Sequence, residues 1–404
     1  MKKISNGICA SKGFKAAGIH SGIKKDKSIK DLCLIYSDVI CNVASSYTLN
    51  KVVGAPIIVT KENTKNKEAQ AIIVNSGNAN TCNSDGIELA NNVCSIVANH
   101  LNIKSSDVVI ASTGVIGQKL SIKPFVDSMS DIVNKLSVDG NDDAVEAIMT
   151  TDTFKKISAY ELEIDGKIVH VGGIAKGSGM INPNMATMLA FVTSDVAISK
   201  EMLSKLISEV VDDTFNMVCV DGDTSTNDML TIMCNALGGN KEIDCDNQDY
   251  QTFKNAVYQV CKDLSRDMAK DGEGATKLLE CNVTNTNDIK VAKLIAKQVI
   301  SSSLFKAAMF GKDANWGRIL CAIGYTPAQF DTDNIDVSLQ SEFGSIDVCK
   351  NSGSIDFSED KALEILESNE IIININMNQG ECNGTAWGCD LTYDYVKING
   401  DYRS

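Results

Sequence analysis

The stretch Lys176–Asp195, KGSGMINPNMATMLAFVTSD, changes character at one residue. Gly177, Gly179 and Pro183 favour irregular backbone, whereas Thr187-Met188-Leu189-Ala190-Phe191-Val192 reads as a buried strand. A hydroxyl residue at that junction has two readings. It is a half-buried β position like any other, or it is a nucleophile held at the edge of a core.

The segments around this junction predict mixed α and β structure. Upstream, AYELEI and KIVHV flank Asp165-Gly166, a two-residue hairpin signal that delivers the chain into the Lys176 loop. Earlier still, the apolar run Ala71–Val74 leads into the polar NSGNANTCNSDG, and Ile87, Ala90, Cys94, Val97 and Leu101 then recur at helical spacing. Val108–Ile110 predicts another strand, followed by a loop that holds Thr113 and Gly114. Downstream, Met202, Leu203, Leu206, Ile207, Val210 and Val211 mark a helix with Ser199 as its N-cap. Phe253, Val257, Val260, Leu264 and Met268 mark a second helix, ending at KDGEG, and a third runs from about Asp288 to Ile300. Beyond GKDANWGRI the Asp/Asn/Ser-rich sequence reads as strand and turn.

Bulk properties narrow the function. A chain of 404 residues that is 44% hydrophobic can bury a substantial core, in two or three lobes at about 150 residues each. Four prolines and no low-complexity segment argue against a long linker. No apolar run approaches the ~18 residues that span a bilayer, and polar residues follow Lys2 and Lys3 where a signal peptide would be apolar. The expectation is a cytoplasmic protein with no membrane association. A net charge of −14 disfavours nucleic acid as a partner, and Lys24, Lys25, Lys27 and Lys30 read as a solvated face.

The fourteen cysteines are scattered without a Cys-x-x-Cys pair and read as reduced core residues. His20, His100 and His170 lack the spacing of metal ligands, so neither a zinc site nor a histidine-based triad is expected. GSGMIN fails as a dinucleotide fingerprint, because Asn182 takes its third glycine position and a strand follows where a helix is needed. DGDTSTND from Asp221 alternates oxygen side chains as a calcium loop does, but Thr226 stands where the sharp turn needs glycine, which leaves a turn-rich hydrogen-bonding loop.

GGIAKGSGMINPNMATML resembles, nearly residue for residue, the cleavage and active-site segment of the ornithine acetyltransferase family of arginine biosynthesis, the bifunctional glutamate N-acetyltransferases. AIIVNSGNAN, ASTGVIG, MTTDT, VDGDTSTND, GEGATK, GKDANWGRI and the closing VKINGDYRS agree with that family in the same order along the chain. CNVASSYTLNKVVGAP matches more loosely, and Arg403-Ser404 stands where the family often has two small hydroxyl residues.

The resemblance implies an α/β fold, an N-terminal-nucleophile-like αββα sandwich of about 1–283 with a smaller α/β C-terminal lobe of about 284–404. It implies self-cleavage between Ala186 and Thr187 into an alpha chain, 1–186, and a beta chain, 187–404. Two of each form a heterotetramer. Thr187 Oγ attacks the Ala186 carbonyl, and water then releases a chain whose new α-amine, with an ordinary pKa of about 7.7 to 8.0, serves as the base. Thr113 and Gly114 are carried over as the oxyanion hole. Thr150, Lys176, Thr187, Glu273, Asn399 and Ser404 are carried over as substrate contacts. The implied reaction moves an acetyl group from N-acetylornithine to glutamate through acetyl-Thr187, with no metal or organic cofactor. Some members also take the acetyl group from acetyl-CoA, and the resemblance leaves that donor open. A related self-cleaving aminopeptidase-type hydrolase is the alternative.

Overall fold

The structure is a computed structural model that describes residues 1–182 and 188–401. Ala186, Thr187 and Ser404 lie outside the described residues. In chain order the strands are β1 (Lys2–Lys3), β2 (Phe14–Ile19), β3 (Leu32–Tyr47), β4 (Glu68–Asn78), β5 (Val108–Val115), β6 (Lys156–Ile164), β7 (Lys167–Lys176), β8 (Leu189–Ser194), β9 (Val218–Cys219), β10 (Met229–Cys234), β11 (Leu278–Thr286), β12 (Asp336–Ser341), β13 (Gly344–Lys350), β14 (Gly353–Ser354), β15 (Glu370–Asn376) and β16 (Cys382–Cys389). The helices are α1 (Ala55–Asn63), α2 (Gly86–Leu101), α3 (Lys123–Asn134), α4 (Asn141–Ile148), α5 (Lys200–Asp212), α6 (Gln248–Lys270), α7 (Ile289–Ser301), α8 (Ser303–Phe310), α9 (Trp316–Gly324), α10 (Glu359–Leu366) and α11 (Tyr393–Gly400).

The chain divides into two units, one drawn from Met1–Gly177, Asn184–Asp212 and Asp223–Leu264, the other from Ser178–Pro183, Asp213–Gly222 and Ser265–Ser404. In the first, the strand order is β1-β6-β7-β8-β10-β3-β4-β5, with β2 also on β3. The β4–β5 and β10–β8 pairs are parallel, and the remaining pairs of this sheet are antiparallel. Asp165 and Gly166, both at positive φ, close the β6–β7 hairpin in the register Ile164↔Lys167, as their turn signal predicts.

The strands β4 and β5 are buried on both faces, which is why they read as apolar runs without alternation. Ile72, Val74, Val109 and Ala111 share one apolar cluster with Val145 and Ile148 of α4 and with Leu189 and Phe191 of β8. Ile73, Val108 and Ile110 share another with Val93 and Val97 of α2 and Phe125, Met129 and Ile132 of α3. Ser199 caps α5 through its Oγ, 3.3 Å from the Met202 amide. In the second unit the order is β14-β13-β12-β15-β11-β16-β9, and α7 packs on β11 and β16. Its N-cap is Asp288, at the predicted start.

Several expectations need correction. Thr113 and Gly114 lie in strand β5, not in a loop, because the ladder to β4 continues through Ser76↔Thr113 and Gly77↔Gly114. Ile87 is exposed, and the buried stripe of α2 is formed by Leu89, Ala90, Val93, Cys94, Val97 and Ala98. The region after GKDANWGRI contains α10 and α11 as well as strands; the Ser358 hydroxyl, accepting from the Lys361 amide, starts α10. Lys25 and Lys27 are exposed, but Lys24 and Lys30 are half-buried and bonded. Cys82, Cys245 and Cys321 are exposed and Cys382 is half-buried, while the other cysteines are buried.

Candidate active site

The carboxyl ends of β4 and β5 are held together by their sequence. Gly114 has φ 127° and faces Gly77, φ 99°; a Cβ on Gly114 would overlap the Gly77 carbonyl carbon and the Asn78 nitrogen. Only glycine permits this backbone approach. The polar residues that follow lock it. Ser112 Oγ donates to Asn75 Oδ1 at 2.6 Å, and Asn227 Nδ2 donates to Ala79 O at 2.6 Å and Ser112 O at 3.0 Å. Asn227 Oδ1 in turn accepts from Thr81 Oγ1 at 2.6 Å. The TSTND segment is thus a hydrogen-bonding loop, as expected, and its Asn227 fixes the strand that carries Thr113 and Gly114.

Lys176 ends β7 opposite Leu189 of β8 and is 5% exposed. The Asp152 side chain, fully buried, organises its surroundings. Asp152 Oδ1 accepts from Lys156 Nζ and from the Gly177 amide, each at 2.7 Å, and Oδ2 accepts from the Thr150 amide at 2.9 Å. Burial opposes ionisation of this carboxyl, but Lys176, Lys156 and the Thr150 amide outweigh it and hold its pKa well below the usual carboxylate range. Thr150 and Lys176 are therefore brought to one network. Lys24 Nζ donates to Met149 O at 2.7 Å, and burial and the nearby Lys176 lower its pKa.

In the second unit, Glu273 and Asn399 come together. Asn399 Nδ2, on α11, donates to Glu273 Oε2 at 2.8 Å, and the Glu273 amide donates to Ser178 O at 2.9 Å. Gly179 packs against the Glu273 carboxylate so closely that a Cβ there would overlap it. Asp221 accepts from the Met180 and Ile181 amides at 2.6 and 2.8 Å. The glycines of KGSG are explained by these approaches and by the φ of 153° at Gly177.

The first unit offers backbone strained toward close approach and a buried cation with its counter-charge, and the second offers a carboxylate paired with an amide. Thr187, Ala186 and Ser404 fall outside the described residues. Sequence reading missed Asp152 and Asn227, although both stood within quoted motifs, and took Lys24 for a solvated face, because nothing local signals which partner a polar residue will meet. Among the described residues no group of three or more His, Cys, Asp or Glu side chains could hold a metal ion. No helix among them is long and apolar enough to cross a membrane.

The ArgJ family profile matches residues 15–404. The arginine biosynthesis bifunctional protein ArgJ of Caldanaerobacter subterraneus subsp. tengcongensis is 46% identical over 405 residues, covering 100% of both chains. ArgJ 1 of Clostridium acetobutylicum is 46% identical over 97% of this chain and 96% of its own. Among solved structures, the ArgJ chain from Bacillus halodurans is 43% identical with a TM-score of 0.51, covering 53% of this chain and 99% of its own.

Proposed function

The chain belongs to the ArgJ family, and from that premise we propose that it is a self-cleaving acetyltransferase of arginine biosynthesis, moving the acetyl group of N-acetylornithine to glutamate. Its α/β fold is of the ornithine acetyltransferase type. The observation that carries this reading is likeness at 46% identity over the full length of both chains.

Self-cleavage between Ala186 and Thr187 yields an alpha chain, 1–186, and a beta chain, 187–404. In support, the Bacillus halodurans chain is matched over 99% of its length by only 53% of this one, so it is about as long as one of these two pieces. Thr187 Oγ then takes the acetyl group from N-acetylornithine as an ester, with its own α-amine as base. The Gly114 amide and Thr113 hydroxyl stabilise the oxyanion. Lys176 suits the α-carboxylate shared by both substrates, and Glu273 with Asn399 suits the side-chain amine of ornithine. Thr150 and Ser404 complete the contacts. Ornithine leaves, and glutamate takes the acetyl group.

Acetyl-CoA serves as a second donor for glutamate, in keeping with the word bifunctional in the relatives' names. The assembly is a heterotetramer of two alpha and two beta chains, and it works in the cytoplasm without metal or organic cofactor. Initial rates with N-acetylornithine and glutamate varied together should give parallel lines, and Thr187→Ala should leave one 43.4 kDa chain without activity. Intersecting lines would mean direct transfer in a ternary complex.

A further inference from the structure

Lys24 belongs to a lysine run that carried no function in the sequence, and the substrate contacts proposed above make no use of its side chain. It is half-buried. Asp31, fully buried, accepts from the Ser21 amide and hydroxyl at 2.5 and 2.8 Å and from the Lys24 amide at 2.8 Å, which fixes the backbone here. The Lys24 stem then lies against the end of β4. A Cβ on Gly77 would come 3.0 Å from Lys24 Cγ, and Gly77 is the residue that pairs with Gly114. The ammonium donates to Met149 O at 2.7 Å and to Lys30 O at 3.4 Å. The other end of the Met149–Thr150 peptide, its amide, donates to Asp152, and Asp152 also accepts from the Gly177 amide next to Lys176. Lys24 thus joins the strand end that carries Gly114 to the network of Thr150 and Lys176, all within the first unit.

An ammonium has three N–H donors, and both acceptors of Lys24 are neutral carbonyls. Among the described residues no carboxylate accepts from it. The acids whose charges reach it are engaged elsewhere, Asp31 by Ser21 and the Lys24 amide, Asp152 by Lys156 and two further amides. A half-buried cation without a bonded counter-charge gains from an anionic ligand. The two amino acids of the reaction differ in whether they can supply one. Ornithine and glutamate share an α-carboxylate, which Lys176 suits, but their side chains end in opposite charges. Glu273 suits the ammonium of ornithine and repels the second carboxylate of glutamate. That carboxylate calls for a cation other than Lys176.

We propose that Lys24 determines specificity for glutamate by binding its side-chain carboxylate. The proposal rests on the acetyl-transfer reading above, in which glutamate is the acceptor. The third N–H of Lys24 donates to the carboxylate while the Met149 carbonyl holds the ammonium in place. Like charge turns the side-chain ammonium of ornithine away from the same point, so the two side chains take different subsites.

Glutamine tests this, because it differs from glutamate only by an uncharged amide at the end of the side chain. With N-acetylornithine as donor, wild-type kcat/KM should favour glutamate over glutamine by about 10- to 100-fold, the range expected for a hydrogen bond between charged groups. Lys24→Met keeps the stem against Gly77 and removes the charge. Its KM for glutamate should rise about 10- to 100-fold, and its preference for glutamate over glutamine should fall toward one. Damage to the fold alone lowers both acceptors together, so a preference that stays at the wild-type ratio overturns the proposal. Lys24→Gln, which keeps a donor toward the Met149 carbonyl, gives the same measurement should Lys24→Met fail to fold. Wild-type protein that takes glutamine as readily as glutamate also overturns it. Wild-type protein that transfers no acetyl group to glutamate sinks the acetyl-transfer reading itself, and this proposal with it.

Discussion

Gly114 sits where a side chain has no room and where φ, at 127°, strains any residue but glycine. Gly114→Ala should therefore displace the backbone donor it carries; loss of one oxyanion donor costs about 100- to 1,000-fold in rate. Self-cleavage followed by gel and transfer followed by ornithine release should both slow by that order, and normal kinetics would remove Gly114 from the oxyanion hole. Asp152 is the second residue whose surroundings predict behaviour. Its carboxylate is the counter-charge to Lys156 and Lys176 in a buried site, so Asp152→Asn should cost roughly 3–5 kcal/mol and lower Tm by several degrees. The depressed pKa fixes the sign with pH. Stability from Asp152 is present above its ordinary pKa of about 3.9 and is lost as pH falls from there toward the folded value. Denaturant midpoints of Asp152→Asn should accordingly fall less steeply below about pH 4 than those of wild type. Gly114 was singled out in ASTGVIG only through the resemblance. The role of Asp152 was not, because its partners Lys156 and Lys176 acquire meaning only once β6 and β7 pair and bring them to one buried point.

At the scale of elements, the hairpin at Asp165-Gly166, the cap at Asp288 and the cap at Ser199 were readable because each signal is local. The end of β5 was misread because its last residues are held by pairing with β4, some forty positions earlier, and by Asn227, more than a hundred later. Polar and glycine-rich sequence there looks like a loop, and tertiary hydrogen bonds make it strand. The same holds for α11, whose weakly amphipathic sequence gave no helical signal. Its Asn399 reaches Glu273, so the helix belongs to the substrate site on the reading proposed here. Asn399→Ala removes a hydrogen bond to a charged group, worth about 1.5–3 kcal/mol. KM for N-acetylornithine should rise about 10- to 100-fold while self-cleavage stays complete. Deleting Gly400–Ser404 should likewise spare the cut and impair transfer. Cut protein with normal KM values in both variants would return the tail to the role of an ordinary chain end.

For the whole molecule, three histidines without paired spacing left a histidine-based triad poorly supported in the sequence. A threonine that becomes a chain terminus supplies nucleophile and base together, which fits a protein with three histidines. On the function proposed here, Thr187 carries the acetyl group between two amino acids. Intact-mass analysis of the purified protein with N-acetylornithine alone tests it most directly. The expected result is two pieces, 1–186 and 187–404, with one acetyl group on the second, one equivalent of free ornithine, and loss of that acetyl group when glutamate is added. A single uncut 43.4 kDa chain that still transfers acetyl groups at full rate would contradict it.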